Sequence, residues 1–184
     1  MATLTPFRIA NLNNVRCRKR MRALPIALLT LHALVGRAYG GAFEDARAAY
    51  LTGDFATAYK TFRVLADQGS AVAQTNLGTM YGSGQGVAQS FAEALKWFHK
   101  AADQGDAAAQ YNLGVMYRDG KGVAKDFVRA YMWFELAASQ FPASNYENRQ
   151  SAYRARDFVA FKMTTGQIAK AQKLVQQWKS KPNR

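Results

Sequence analysis

Residues 67–102 and 103–138 align without a gap, and 21 of the 36 positions are identical. That internal repeat constrains the chain more than any other feature. A unit of this size is one supersecondary element, too small to bury its own apolar face, so copies must stack on one another. The period therefore predicts an all-α chain, an α-solenoid of helical hairpins.

Each copy splits into two helical patterns around a glycine loop. Ala73, Leu77 and Met80/Tyr81 recur at i, i+4 and i+7/i+8, the spacing of one helix face. Gly82-Ser83-Gly84-Gln85-Gly86-Val87 interrupts that pattern. Ser90 restarts it as an N-cap, with Glu93 three residues on completing a capping box. Phe91, Ala94, Leu95, Phe98, Ala101 and Ala102 follow as the apolar stripe of the second helix. Asp126 takes the cap position in the second copy; Gly69 and Gly105 end helices, and Ser70 and Asp106 cap the next ones. Leu77, Gly78, Tyr81, Trp97 and their counterparts Leu113, Gly114, Tyr117 and Trp133 form the expected core. Gly inside a helix costs about 1 kcal/mol relative to Ala. Gly78 and Gly114 thus predict a close helix–helix approach, with Ala94 and Ala130 as the expected facing residues. Trp97 and Trp133 read as the bulky fillers between neighbouring hairpins.

A shorter hairpin precedes the two copies. Residues 54–66 match 90–102 at Phe55, Ala56, Ala58, Lys60, Phe62 and Ala66, and residues 44–52 read as its first helix. Past Ala138 the repeat stops. Phe141-Pro142 breaks the helix. Residues 144–163 show Ala152, Ala155, Val159 and Met163 on one face, and Thr164 with Gln167 forms a second capping box before Ile168, Ala171, Val175 and Trp178. The expected organisation is an N-terminal extension and signal peptide over 1–42. Repeats follow over 43–138, partial at 43–66 and complete at 67–102 and 103–138. A basic C-terminal capping helix pair occupies 139–184.

Charge follows the same division. Residues 1–42 carry seven Lys or Arg and no acid, 43–138 carry nine basic and ten acidic residues, and 139–184 carry nine basic and two acidic residues. A nucleic-acid binder places its basic stripe along the folded body, so no nucleic-acid partner is expected. Arg16, Arg18, Lys19, Arg20 and Arg22 precede the largely apolar run Ala23–Val35, and small residues follow through Ala42. That order describes a secretory signal peptide. Thirteen residues fall short of the about 20 a membrane-spanning helix needs, so no stable span is expected after cleavage. Met21 offers an alternative start that leaves a compact signal peptide. Export to the periplasm or beyond, in a Gram-negative type envelope, is the expectation.

Chemistry is sparse. Cys17 is the only cysteine, and His99 is the only histidine past residue 42. His99 reads as a solvated surface side chain. No metal, cofactor-binding or catalytic set is expected. Gly120-Lys121 lacks the preceding glycine and following Ser/Thr of a phosphate loop.

Leu77-Gly78-x-x-Tyr81, then Gly84-x-Gly86-Val87, then Ala94-x-x-Trp97-Phe98-x-x-Ala101-Ala102 resembles the Sel-one-like repeat of the tetratricopeptide superfamily. The resemblance covers residues 44–138, and the first hairpin departs from it, with Thr61 where Trp is usual. It implies antiparallel hairpins in a right-handed superhelix and a non-catalytic adaptor that binds a protein or peptide partner. In such a superhelix the first helix of each hairpin lines the concave face. The candidate groove residues are then Glu44, Ala48, Thr75, Thr79, Tyr111 and Val115, with Arg118 and Asp119 at a rim. Tyr111 is the expected anchor. Two alternatives stand beside this reading. The basic cap suits an anionic envelope polymer or lipid. Cysteine-rich relatives with this repeat are described as β-lactamases, but they carry a disulfide in each repeat, and this chain has no Ser-x-x-Lys.

Overall fold

A computed structural model describes residues 41–180; the signal-peptide and start-site expectations lie outside the described residues. Among the described residues there are eight helices and no strand. They are α1 (residues 41–51), α2 (Phe55–Asp67), α3 (Ala71–Ser83), α4 (Phe91–Asp103), α5 (Ala107–Asp119), α6 (Phe127–Gln140), α7 (Tyr146–Ala160) and α8 (Thr165–Lys179). The predicted all-α solenoid is the observed fold.

Local chemistry sets the helix ends. Asp54, Ser70, Ser90, Asp106, Asp126 and Thr164 each accept a hydrogen bond from the backbone N–H three residues on. Gly69 and Gly105 adopt φ of 98° and 87°, which lets the chain turn from one hairpin into the next. The Thr164 box is complete, with Gln167 Oε1 accepting from Thr164 N. The Ser90 box is only half formed. Ser90 N donates to Tyr81 O, and Glu93 instead pairs with Lys96 at 2.5 Å. The last repeat helix stops where predicted, with Phe141 as its C-cap.

Hairpins α3/α4 and α5/α6 pack within themselves, and α2 on α3, α4 on α5 and α6 on α7 join successive units. Phe43 on Phe62 (5.6 Å between ring centroids) and Tyr50 on Phe55 (5.3 Å) close the first hairpin. After α7 the chain returns, and α8 packs on α6. Ala152, Ala155 and Val159 of α7, and Ala171, Val175 and Trp178 of α8, are buried there.

Gly78 and Gly114 mark close approaches, but alanines do not fill them. A Cβ on Gly78 would lie 2.7 Å from the Phe98 ring, and one on Gly114 would lie 2.6 Å from the Phe134 ring. Ala94 instead sits one turn along, opposite Gly82. The crossing of the two helices brings the larger residue over the missing side chain, so a phenyl ring packs where a Cβ would stand. The second glycine of each loop serves a different contact. Gly86 packs against the backbone of Phe55, and Gly122 against Phe91, where a Cβ would come within 2.7 Å of Phe91 Cβ. Each loop is therefore seated on the first turn of the preceding hairpin's second helix.

Candidate functional site

The first helix of each hairpin, α1, α3 and α5, and then α7, borders an open groove. Two grooves open between them. One, about 430 Å³, is lined by Phe43, Arg47, Tyr50, Leu51, Phe62 and Asn76. The other, about 240 Å³, is lined by Ala108, Tyr111, Asn112, Phe141, Asn148 and Ser151. Asn76 and Asn112 occupy the same position in successive repeats. Each groove thus places a side-chain amide beside aromatic rings. Leu51, with 72% of its surface exposed, and half-exposed Val72 add apolar surface on α1 and α3.

Tyr111 is half-buried, its ring 5.4 Å from that of Phe134, and it lines the second groove. Val115 is half-buried against the core. Thr79 is exposed, with its hydroxyl donating to Thr75 O. Thr75 does not belong to an open groove. It is buried, and its Oγ1 donates to Asp106 Oδ1 at 2.9 Å. Asp106 also caps α5, so Thr75 ties α3 to the start of the next hairpin. A helical wheel shows Thr75 facing outward because it carries no information about the neighbouring hairpin.

The charged candidates are engaged locally. Glu44 accepts from Arg47 at 3.3 Å. Arg118 forms a two-pronged pair with the adjacent Asp119, Nε to Oδ1 at 2.6 Å and Nη2 to Oδ2 at 2.9 Å. The hydrogen bond from Arg118 holds the Asp119 carboxyl below its ordinary range, and the same bond raises the Arg118 guanidinium. Exposed pairs of this kind are worth about 0–1 kcal/mol. They shape the rim and leave little unpaired charge for a ligand.

His99 is not a solvated surface residue. Its ring lies 5.6 Å from Trp133 and 6.4 Å from Tyr117, in a pocket of about 260 Å³ completed by Arg129, Met132, Leu174, Gln177 and Trp178. Burial lowers its pKa, Asp103 opposes that shift, and Arg129 reinforces it. Among the described residues no group of three or more His, Cys, Asp or Glu side chains is placed to hold a metal ion, and no helix is long and apolar enough to cross a membrane.

Asn76, Asn112 and Asn148 went unnoticed in the sequence reading, although their common 36-residue spacing was visible there. Two of them lay inside motifs already absorbed by the repeat.

A solenoid of hairpins with Gly-seated loops and paired-helix cores defines a class of helical-repeat binding proteins. The comparisons make the class specific. The Sel1 repeat family model matches residues 71–106 and 107–140, so the chain carries two Sel1 repeats. Among solved structures, c5321, a protective antigen present in uropathogenic Escherichia coli strains and displaying an SLR fold, is 31% identical with a TM-score of 0.69. That alignment covers 76% of this chain and 29% of c5321. A Sel1 repeat protein from Oxalobacter formigenes is 28% identical with a TM-score of 0.53, over 64% of this chain and 54% of its own length. The chain thus spans under two thirds of either structure's length. Comparison with curated proteins gives no match. Sel1 repeats generally mediate protein–protein interaction, and proteins of this fold are generally non-catalytic scaffolds.

Proposed function

We propose that this chain is an exported, non-catalytic adaptor that holds a protein or peptide partner along the face formed by α1, α3, α5 and α7. One observation carries the reading: two grooves on that face each set an asparagine amide beside aromatic surface, at equivalent positions of successive repeats. A side-chain amide both donates and accepts, as a peptide group does, and rings beside it supply apolar contact. An extended segment fits such a surface better than a small polar ligand does. Export rests on the basic, apolar and small-residue series over 16–42.

The test places a photo-crosslinking residue at Asn112 or Thr79, and as a control at Lys60 on the exposed side of α2. Capture of one discrete partner from Asn112 and Thr79, but not from Lys60, is the expected result. Tyr111→Ala should weaken that partner's binding by about 2 kcal/mol or more, the scale of a hot spot. Equal capture from Lys60 would place the working surface elsewhere. For export, N-terminal sequencing of protein from the envelope fraction should begin near Gly41 or Phe43. An intact Met1 or Met21 terminus confined to the cytosol would defeat it.

A further inference from the structure

The turn from α7 to α8 carries the most exposed large apolar side chain among the described residues. Phe161 has 91% of its surface exposed, and Phe158, one turn earlier on α7, has 54%. Both lie off the stripe of Ala152, Ala155 and Val159 that α7 buries. Their exposure does not come from a loose loop. Phe161 N donates to Asp157 O, Lys162 N to Val159 O and Met163 N to Ala160 O, all at 3.0 Å, and Met163 packs back on the core. The rings are held out on a closed turn.

One cation lies against these rings, and others follow along α8. Lys162 Nζ sits 5.1 Å from the centroid of the Phe158 ring. From Phe158 to Ser180 the chain carries Lys162, Lys170, Lys173 and Lys179 and no acid. Asp157, the acid nearest in sequence, is held by Arg156 at 2.7 Å.

We propose that this turn is a membrane-surface contact, with Phe158 and Phe161 entering the interface of an anionic phospholipid bilayer and the lysines meeting its headgroups. The proposal goes beyond the partner-binding face and stands independently of it. Durable attachment to a bilayer surface takes two signals, an apolar insertion and a basic patch; the turn supplies the first, and Lys162 with the lysines of α8 supplies the second. A second copy fits less well. A two-fold contact sets a patch against itself, which brings Lys162 towards Lys162 with no unpaired acid nearby. A pre-closed turn also inserts its rings without an ordering cost.

The test uses the exported form beginning at Phe43, which holds no cysteine, with Phe161→Cys labelled by an environment-sensitive fluorophore, and the same chain labelled at Lys60→Cys. Vesicles of phosphatidylglycerol with phosphatidylethanolamine should blue-shift the label at 161 and leave the label at 60 unchanged. High salt should weaken the response, and phosphatidylcholine vesicles should not produce it. In the labelled chain, Phe158→Ser should weaken the apparent affinity about tenfold. In unlabelled protein, flotation of Phe158→Ser/Phe161→Ser with the anionic vesicles should fall below that of the parent chain at an unchanged melting temperature. No shift at 161, an equal shift at 60, or an equal response to phosphatidylcholine overturns the proposal. So does undiminished flotation of the double variant, which would assign lipid binding to another part of the chain.

Discussion

Trp97 and Trp133 hold the same place in two copies of one sequence, and their surroundings differ. Trp97 is covered by cations, with Lys100 Nζ 4.1 Å and Arg63 Cζ 5.3 Å from its ring centroid. Trp133 lies among rings, 5.6 Å from His99 and 5.8 Å from Trp178. Arg63, His99 and Glu135 are themselves equivalent positions, one period apart. Each reaches forward to the next unit. Arg63 meets Trp97, His99 meets Trp133, and Glu135 meets Arg156 at 2.7 Å. The repeat thus conserves the geometry of the joint and changes its chemistry. The joint grows more apolar towards the middle of the solenoid and ends in an ion pair where the cap begins.

The sharpest way to break this comparison is to truncate both tryptophans. Trp133→Ala should destabilise by about 5 kcal/mol and Trp97→Ala by about 3, within the range for large core truncations. Trp133 loses ring partners on two helices, whereas the cations over Trp97 can return to water. Denaturant titration gives both values, and equal losses would show that the surroundings of the two rings do not matter. The glycines come next. Gly78→Ala and Gly114→Ala should each cost about 1–3 kcal/mol, because a buried ring must move. Gly82→Ala serves as the control. Its Cβ would meet Ala94 Cβ at an ordinary 3.9 Å, so the change should stabilise the helix by about 0.5–1 kcal/mol. Loss of stability at Gly82 would mean that helix propensity, and not the ring contact, had been misjudged.

Thr75 and Tyr111 form a second pair of equivalent positions with different tasks. Thr75→Val should cost about 1 kcal/mol by thermal melt, the net worth of one hydrogen bond, and should leave partner binding intact. A binding defect with no melting shift would return Thr75 to the groove. The smallest effect concerns His99. Its folded pKa is depressed, so it favours the neutral form in the native state. The unfolded chain then binds the proton more tightly, and stability falls as pH drops from about 6.5, the ordinary histidine value, through the lower folded value. Above that window His99 contributes nothing pH-dependent. His99→Phe should flatten the slope of stability between neutral and mildly acidic pH. Asp103, which opposes the shift, and Arg129, which reinforces it, should stay in place for that comparison.

Most of the architecture was legible because it is written in local chemistry. Capping side chains, glycines at helix ends and the 36-residue period lie within a few residues of the features they set. Contacts across a helix crossing or between hairpins were not legible in this way. Nothing near Gly78 in sequence says whether Ala94 or Phe98 will lie over it, since the crossing angle decides. Nothing near Thr75 announces the Asp106 carboxylate 31 residues away, and His99 looks solvated until Trp133 is placed beside it. Within the candidate site, Tyr111 could be read from residue type and helix face. The asparagines needed the grooves to be seen, and the prominence of Phe161 needed the closed turn beneath it.

The seating of the glycine loops has a mechanical consequence. Gly86 rests on Phe55 and Gly122 on Phe91, so each hairpin leans on the one made before it. Loss of units from the C-terminal end leaves the remaining loops in place. Loss from the N-terminal end strips the next loop of its support. The array therefore has a polarity: removing α7 and α8 leaves both glycine loops seated, while removing α1 and α2 takes the Phe55 seat from the Gly86 loop.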